Sequence, residues 1–167
     1  MKISSTEITL KVEELAKEIS AYYQSNFKNE KLSIIVPMNG GVPFAVDLLR
    51  KLTHPSADKI FISYIFDEKN EWNFSGSKPK PNSPILIIED IYDTGDTLSK
   101  LVNYLNNQYN PSDIQVVVML DKLIKKHSVV DVKWKGFDVE DTWVFGYGMD
   151  DENGTMRQIP FIADKKG

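Results

Sequence analysis

Apolar positions along the chain change their period several times, and each change marks an element. Val12, Leu15, Ala16, Ile19 and Tyr22 recur at the spacing of one helix face, and Ser4 and Glu7 ahead of them have the spacing of a capping box. They predict a helix from about residue 7 or 9 to residue 25, with a packing role. Residues 31–36 read as a strand centred on Ile34, Ile35 and Val36. Pro37-Met38-Asn39-Gly40-Gly41 breaks the run, and Pro43 stands just inside a helix predicted over 42–50. Residues 59–66 alternate and predict another strand, with Ser63 and Tyr64 at its end. Residues 67–83 are polar and rich in Gly, Pro, Asn and Lys, which predicts a long irregular loop of the kind that serves as a lid. Lys69, Trp72 and Lys78 within it read as solvated residues. A continuous apolar strand over 114–120 ends in Asp121-Lys122, and His127 beyond it reads as ordinary surface.

The densest signal lies between these elements, in Pro84-Ile85-Leu86-Ile87-Ile88-Glu89-Asp90-Ile91-Tyr92-Asp93-Thr94-Gly95-Asp96-Thr97-Leu98. Its apolar run has the length of a strand buried on both faces and ends in two carboxylates. After the turn, Leu98, Leu101, Val102 and Leu105 fall on one helix face. A strand that passes through a glycine turn into a helix presents free N–H groups and the positive end of the helix dipole, which suits phosphate. The segment over 34–50 repeats the design, so two anion turns stand on neighbouring strands. Four acids, Glu89, Asp90, Asp93 and Asp96, crowd the second turn, more than helix capping requires. Two adjacent carboxylates can accept bonds from the hydroxyls of a ribose, and a third beyond them can take a proton. The ligand these residues imply is a sugar phosphate.

The stretch from Ile87 to Thr97 resembles the signature of type I phosphoribosyltransferases, which bind phosphoribosyl pyrophosphate. The resemblance runs from residue 5 to 162, densest at 84–98, with further matches at 34–50 and 136–150. It implies an α/β fold: a mostly parallel sheet flanked by helices on both faces, in one domain over 1–167, with a small hood from the C-terminal and N-terminal segments. The hood and base-binding segment falls at 133–162, and the loop at 67–83 becomes a mobile lid that excludes water. By the same resemblance Glu89, Asp90, Asp93, Thr94, Gly95, Asp96 and Thr97 hold the phosphoribosyl group, with Asp93 as general base. Asn39, Gly40 and Arg157 lie against pyrophosphate; Asn39 replaces a frequent lysine, and Arg157 stands one residue farther from Asp150 than the pattern has it. Asp96 also departs from the uncharged or basic residue common at its place, and its carboxylate weakens phosphate affinity unless it points away.

Within the family the chain is most similar to the hypoxanthine-guanine group. Trp143-Val144-Phe145-Gly146-Tyr147-Gly148-Met149-Asp150 is similar to the base-binding segment of that group, and Lys122 matches the lysine that bonds the oxygen at purine position 6. Base contacts are thus implied for Lys122, Trp143 (by stacking), Val144 (by its backbone) and Asp150; a buried core aromatic is the alternative for Trp143. Glu89, Asp90 and Asp150 are the implied metal ligands. The implied reaction is purine salvage, joining N9 of hypoxanthine, guanine or xanthine to the ribose and expelling pyrophosphate. Alternatives are a phosphoribosyltransferase for another base and a non-catalytic sensor of phosphoribosyl pyrophosphate.

Composition narrows this further. With 24 acids against 20 bases the net charge is −4, which argues against a nucleic-acid partner. An acidic chain that binds a polyphosphate needs backbone amides and a divalent cation, and Mg²⁺ bridges phosphate oxygens with few protein ligands. Cysteine is absent, so disulfides and thiolate metal sites are excluded. No apolar run has membrane length and the N-terminus lacks a signal-peptide pattern, so a cytoplasmic protein is expected. The family leads us to expect a homodimer or homotetramer.

Overall fold

The strands that read as continuous apolar runs divide their side chains between two cores. In the computed structural model, which describes residues 1–53, 60–68 and 71–165, Ile34 and Val36 of β2 (Leu32–Pro37) enter one core and Ile35 the other. Leu86 and Ile88 of β5 (Ile85–Tyr92) likewise oppose Ile85 and Ile87, and Val117 and Met119 of β6 (Ile114–Lys122) oppose Val116 and Val118. Period-two alternation with apolar residues on both sides requires cover on both sheet faces. Helices α1 (Ser5–Asn26) and α2 (Gly41–Leu49) cover the first with Val12, Leu15, Ile19, Phe44 and Leu48. Helix α3 (Asp96–Tyr109) covers the second with Leu98, Leu101 and Leu105. Each such side chain contributes about 1.5–3 kcal/mol when fully buried, so these faces hold the helices more than intrinsic propensity does. The capping box forms: Ser4 Oγ accepts from the Glu7 amide at 3.3 Å and Glu7 Oε2 from the Ser4 amide at 2.8 Å. The helix therefore starts earlier than its apolar stripe.

The main sheet has the order β4-β3-β2-β5-β6-β7, with β3 (Ile60–Glu68), β4 (Glu71–Gly76) and β7 (Trp134–Val139) completing it. All neighbours are parallel except β4, which runs antiparallel to β3. The irregular loop expected over 67–83 is thus corrected in its first half. β3 extends to Glu68, and β4 pairs with it from Ser63↔Gly76 to Glu68↔Glu71. Trp72 and Phe74 alternate with polar residues and lie 6.4 and 6.2 Å, ring to ring, from Tyr104 of α3. Trp72 is therefore a packed residue rather than a solvated one; Lys78 is exposed, and Lys69 lies outside the described residues. A small second sheet of order β1-β9-β8 joins both ends of the chain: β1 (Lys2–Ile3), β9 (Ile162–Asp164) and β8 (Val144–Phe145). This is the hood. No described helix is long and apolar enough to cross a membrane.

From β2 the chain winds toward β3 on one side, while β5 on the other side leads away to β6 and β7. The order reverses between β2 and β5, and in open α/β sheets ligands bind at that point, beyond the C-terminal strand ends.

Candidate active site

Two strand–turn–helix units open onto this switch point, β2 into α2 and β5 into α3. Gly95 turns the chain into α3 with φ +90°, and a Cβ there would stand 1.9 Å from the Ser128 carbonyl oxygen. Gly40 precedes α2, and a Cβ on it would stand 1.7 Å from Oδ2 of Asp90. The Met38–Asn39 peptide is cis. A cavity of about 330 Å³ lies between the turns, lined by Asn39 and Gly40, Glu89 and Asp90, residues 93–97 and Arg157. Every residue assigned from sequence to the phosphoribosyl and pyrophosphate groups therefore meets at one place. Arg157 does so despite its displaced position in the sequence; it pairs with Oδ2 of Asp150 at 2.6 Å and donates to the Gly148 carbonyl at 2.7 Å.

The carboxylates differ in setting. Glu89 is buried, and burial followed by the charge of Asp90 holds its carboxyl well above the usual carboxylate range. The Asp90 amide donates back to Glu89 Oε1 at 3.1 Å, and the Ile91 amide to Asp90 Oδ1 at 2.9 Å. Asp93 is 45% exposed and accepts from Lys122 Nζ at 2.7 Å. Among the described residues no group of three or more His, Cys, Asp and Glu side chains is gathered as a metal cluster. Glu89, Asp90 and Asp150 are thus not a preassembled three-carboxylate cage, because Asp150 is drawn to Arg157 on the hood segment.

A second cavity of about 200 Å³ adjoins the first and shares Asp90, Ile91 and Asp93 with it. Its other walls are Lys122, Trp143, Val144, Met149 and Asp150, so all four residues assigned to the base line it. Trp143 is 54% exposed, which removes the core alternative, and its Nε1 donates to the Asp150 carbonyl at 3.0 Å. Lys122 is 11% exposed and stands at the end of β6. Lys126 braces that end, donating to the carbonyls of Lys122 and Tyr92 at 2.6 and 2.9 Å. Ile91 and Met149 are lining residues with no distinctive sequence signal, since an apolar residue there reads equally well as core. His127, read as plain surface, lies 3.2 Å from Asp96 through Nδ1.

Fold and site together define an α/β protein with paired cavities at the sheet's switch point, one built of turn residues and acids and the other of an aromatic and apolar wall facing charged groups. A family model, the phosphoribosyl transferase domain, matches residues 4–152. The hypoxanthine-guanine phosphoribosyltransferase of Bacillus subtilis (strain 168) is 35% identical over 96% of this chain and 89% of its own length. The hypoxanthine-guanine-xanthine phosphoribosyltransferase of Tritrichomonas foetus is also 35% identical, over 94% of this chain and 86% of its own. A crystal structure of a hypoxanthine-guanine phosphoribosyltransferase from Bacillus anthracis superposes with a TM-score of 0.82 at 26% identity, covering 97% of this chain and 94% of that one. The chain belongs to the phosphoribosyl transferase domain family.

One substitution separates fold from site. The atom that a Cβ at Gly40 would meet is the far end of the Asp90 side chain, which can swing aside. Gly40→Ala is expected to change unfolding free energy in urea by less than about 1 kcal/mol. The displaced carboxylate lowers kcat/KM for phosphoribosyl transfer about 10²-fold.

Proposed function

We propose that this chain transfers the phosphoribosyl group of phosphoribosyl pyrophosphate to N9 of a 6-oxopurine (hypoxanthine, guanine or xanthine), releasing pyrophosphate and a nucleoside monophosphate in purine salvage. One observation carries the choice of base. Lys122 Nζ and Asp93 Oδ2 stand 2.7 Å apart in the wall of the Trp143 cavity, a donor beside an acceptor. The edge of a 6-oxopurine that is losing its N7 proton presents the complement, an acceptor oxygen beside an N–H. A 6-aminopurine would set an amino donor against the ammonium, a mismatch that disfavours it. The curated relatives named for hypoxanthine, guanine and xanthine support the same reading.

In this reading the ribose lies at Glu89 and Asp90, with the 5′-phosphate on the amides and hydroxyls of residues 93–97. Pyrophosphate lies between the turn at Asn39 and Gly40 and the guanidinium fork of Arg157, which leaves Asp150 when the anion arrives. Positive charge grows on the ribose ring as C1′ parts from pyrophosphate, and the adjacent carboxylates favour that charge. N9 bonds to C1′, N7 becomes acidic, and Asp93 takes its proton. Trp143 stacks on the base, and Val144 offers backbone groups to its edge.

Mg²⁺ fits the acids present. Burial and then Asp90's charge push the Glu89 carboxyl up, a cation beside the pair would favour its ionised form, and Mg²⁺ needs only one or two carboxylates besides substrate oxygens. Glu89 and Asp90 would hold it on the ribose side and Asp150 on the side of the base segment. When bound it neutralises charge on the pyrophosphate. A cytoplasmic setting and assembly as a homodimer or homotetramer complete the proposal.

Purified protein with Mg²⁺ and phosphoribosyl pyrophosphate is expected to form monophosphate from at least one of hypoxanthine, guanine and xanthine; no product from any of them refutes the proposal. Asp93→Asn should lower kcat by about 10²–10⁴ with little change in either KM. Full turnover in that variant would remove Asp93 from the chemistry. Trp143→Ala should raise KM for the base about 5- to 100-fold, and far more than KM for phosphoribosyl pyrophosphate. Equal effects on both would indicate a general disturbance.

A further inference from the structure

Asp96 opens α3 on the turn assigned to the 5′-phosphate, where its charge has the wrong sign for an anion. The turn after β6 engages that carboxylate. Ser128 Oγ donates to Oδ1 at 2.8 Å, Nδ1 of His127 lies 3.2 Å from Oδ2, and Thr94 Oγ1 donates to Oδ2 at 3.3 Å. The same turn grips the phosphate turn's backbone, because the amides of His127 and Ser128 both donate to the Thr94 carbonyl, at 2.9 and 3.2 Å. The close approach of Gly95 to the Ser128 carbonyl lets the two turns touch. Helix capping is the plainer account of an acid at this position. However, these side-chain bonds of Asp96 run across to residues 127 and 128 and back to Thr94, outside α3. The bonds from Ser128 and then His127 hold the carboxyl below the usual range, so it stays ionised. Its charge must be restrained in place, since protonation does not remove it.

We infer that His127 and Ser128 are positioning residues for phosphoribosyl binding: they tether the Asp96 carboxylate to their own turn and leave the first amides of α3 to the 5′-phosphate. The inference rests on the phosphoribosyl reading and adds to it a charge conflict resolved by a turn about thirty residues away in sequence. Freed from its donors, the carboxylate would compete with phosphate for those amides.

The test is steady-state kinetics in both directions. The double variant His127→Ala, Ser128→Ala is expected to raise KM for phosphoribosyl pyrophosphate about three- to tenfold. Its kcat, and KM for pyrophosphate in the reverse reaction, stay within about twofold, since the lost bonds are to Asp96 and leave Asp93 and the turn at Asn39 and Gly40 as they are. Adding Asp96→Asn should return KM for phosphoribosyl pyrophosphate to within about twofold of the wild type, which also shows that the fold is intact. An unchanged KM in the double variant, or a rise that Asp96→Asn does not relieve, overturns the inference and leaves the turn a structural brace. A wild type without turnover on any base would instead contradict the phosphoribosyl reading itself, and the inference with it.

Discussion

Two carboxyl groups forced together out of water repel each other, and one of them gives up its charge unless a cation or a set of donors intervenes. Glu89 and Asp90 are in that position because of where β5 lies. The strand is central, paired with β2 on one side and β6 on the other, and its apolar residues enter both cores. Its backbone is held on both sides, so the two acids stand at the mouth of the crevice. Gly40 then matters to the site more than to the fold, since a side chain there would push the Asp90 carboxylate aside. Burial and then the charge of Asp90 favour the neutral form of Glu89, and a bound cation would favour its ionised form.

The remaining parts of the site are arranged around that pair. The two helix N-termini bring backbone N–H groups to either side of it. The hood is registered on the same frame: the Tyr147 hydroxyl donates to Asp47 of α2 at 2.8 Å, and burial followed by that bond pushes the phenol far above its usual range. The Trp143–Asp150 segment is thereby set against the helix whose N-terminus opens on the anion cavity. A base seated by Trp143 and a diphosphate seated by Gly40 would share one wall, formed by Asp90, Ile91 and Asp93. Adjacency of the two cavities matters more than the chemistry of either, because transfer needs both reactants held within bonding distance.

How much of this could be read from the chain depended on the range of the interaction. The buried strands were legible because cover on both faces leaves an uninterrupted apolar run, and the turn at 93–97 because its residues are contiguous. β4 was not, since Trp72 and Phe74 alternate with polar residues among lysines and prolines, and only the packing on Tyr104 shows that the stretch is a strand. Trp143 was ambiguous because an aromatic before a short strand looks the same in a core or over a cavity; its exposure decides. Arg157 and Asp150 were each singled out from the sequence, while their pairing was not, because it depends on how the loop between them folds back. The bonds of His127 and Ser128 to Asp96 join residues more than thirty positions apart and leave no pattern in the sequence.

Isothermal titration of the purified protein with phosphoribosyl pyrophosphate, in magnesium and then in excess chelator, bears most directly on the paired acids. The account predicts saturable binding with one ligand per chain in magnesium, weakened at least about tenfold when the cation is removed. Equal affinity in the two buffers, or no heat of binding in either, would contradict the claim that this acidic pair and its amide turns are built around a magnesium-bridged sugar diphosphate.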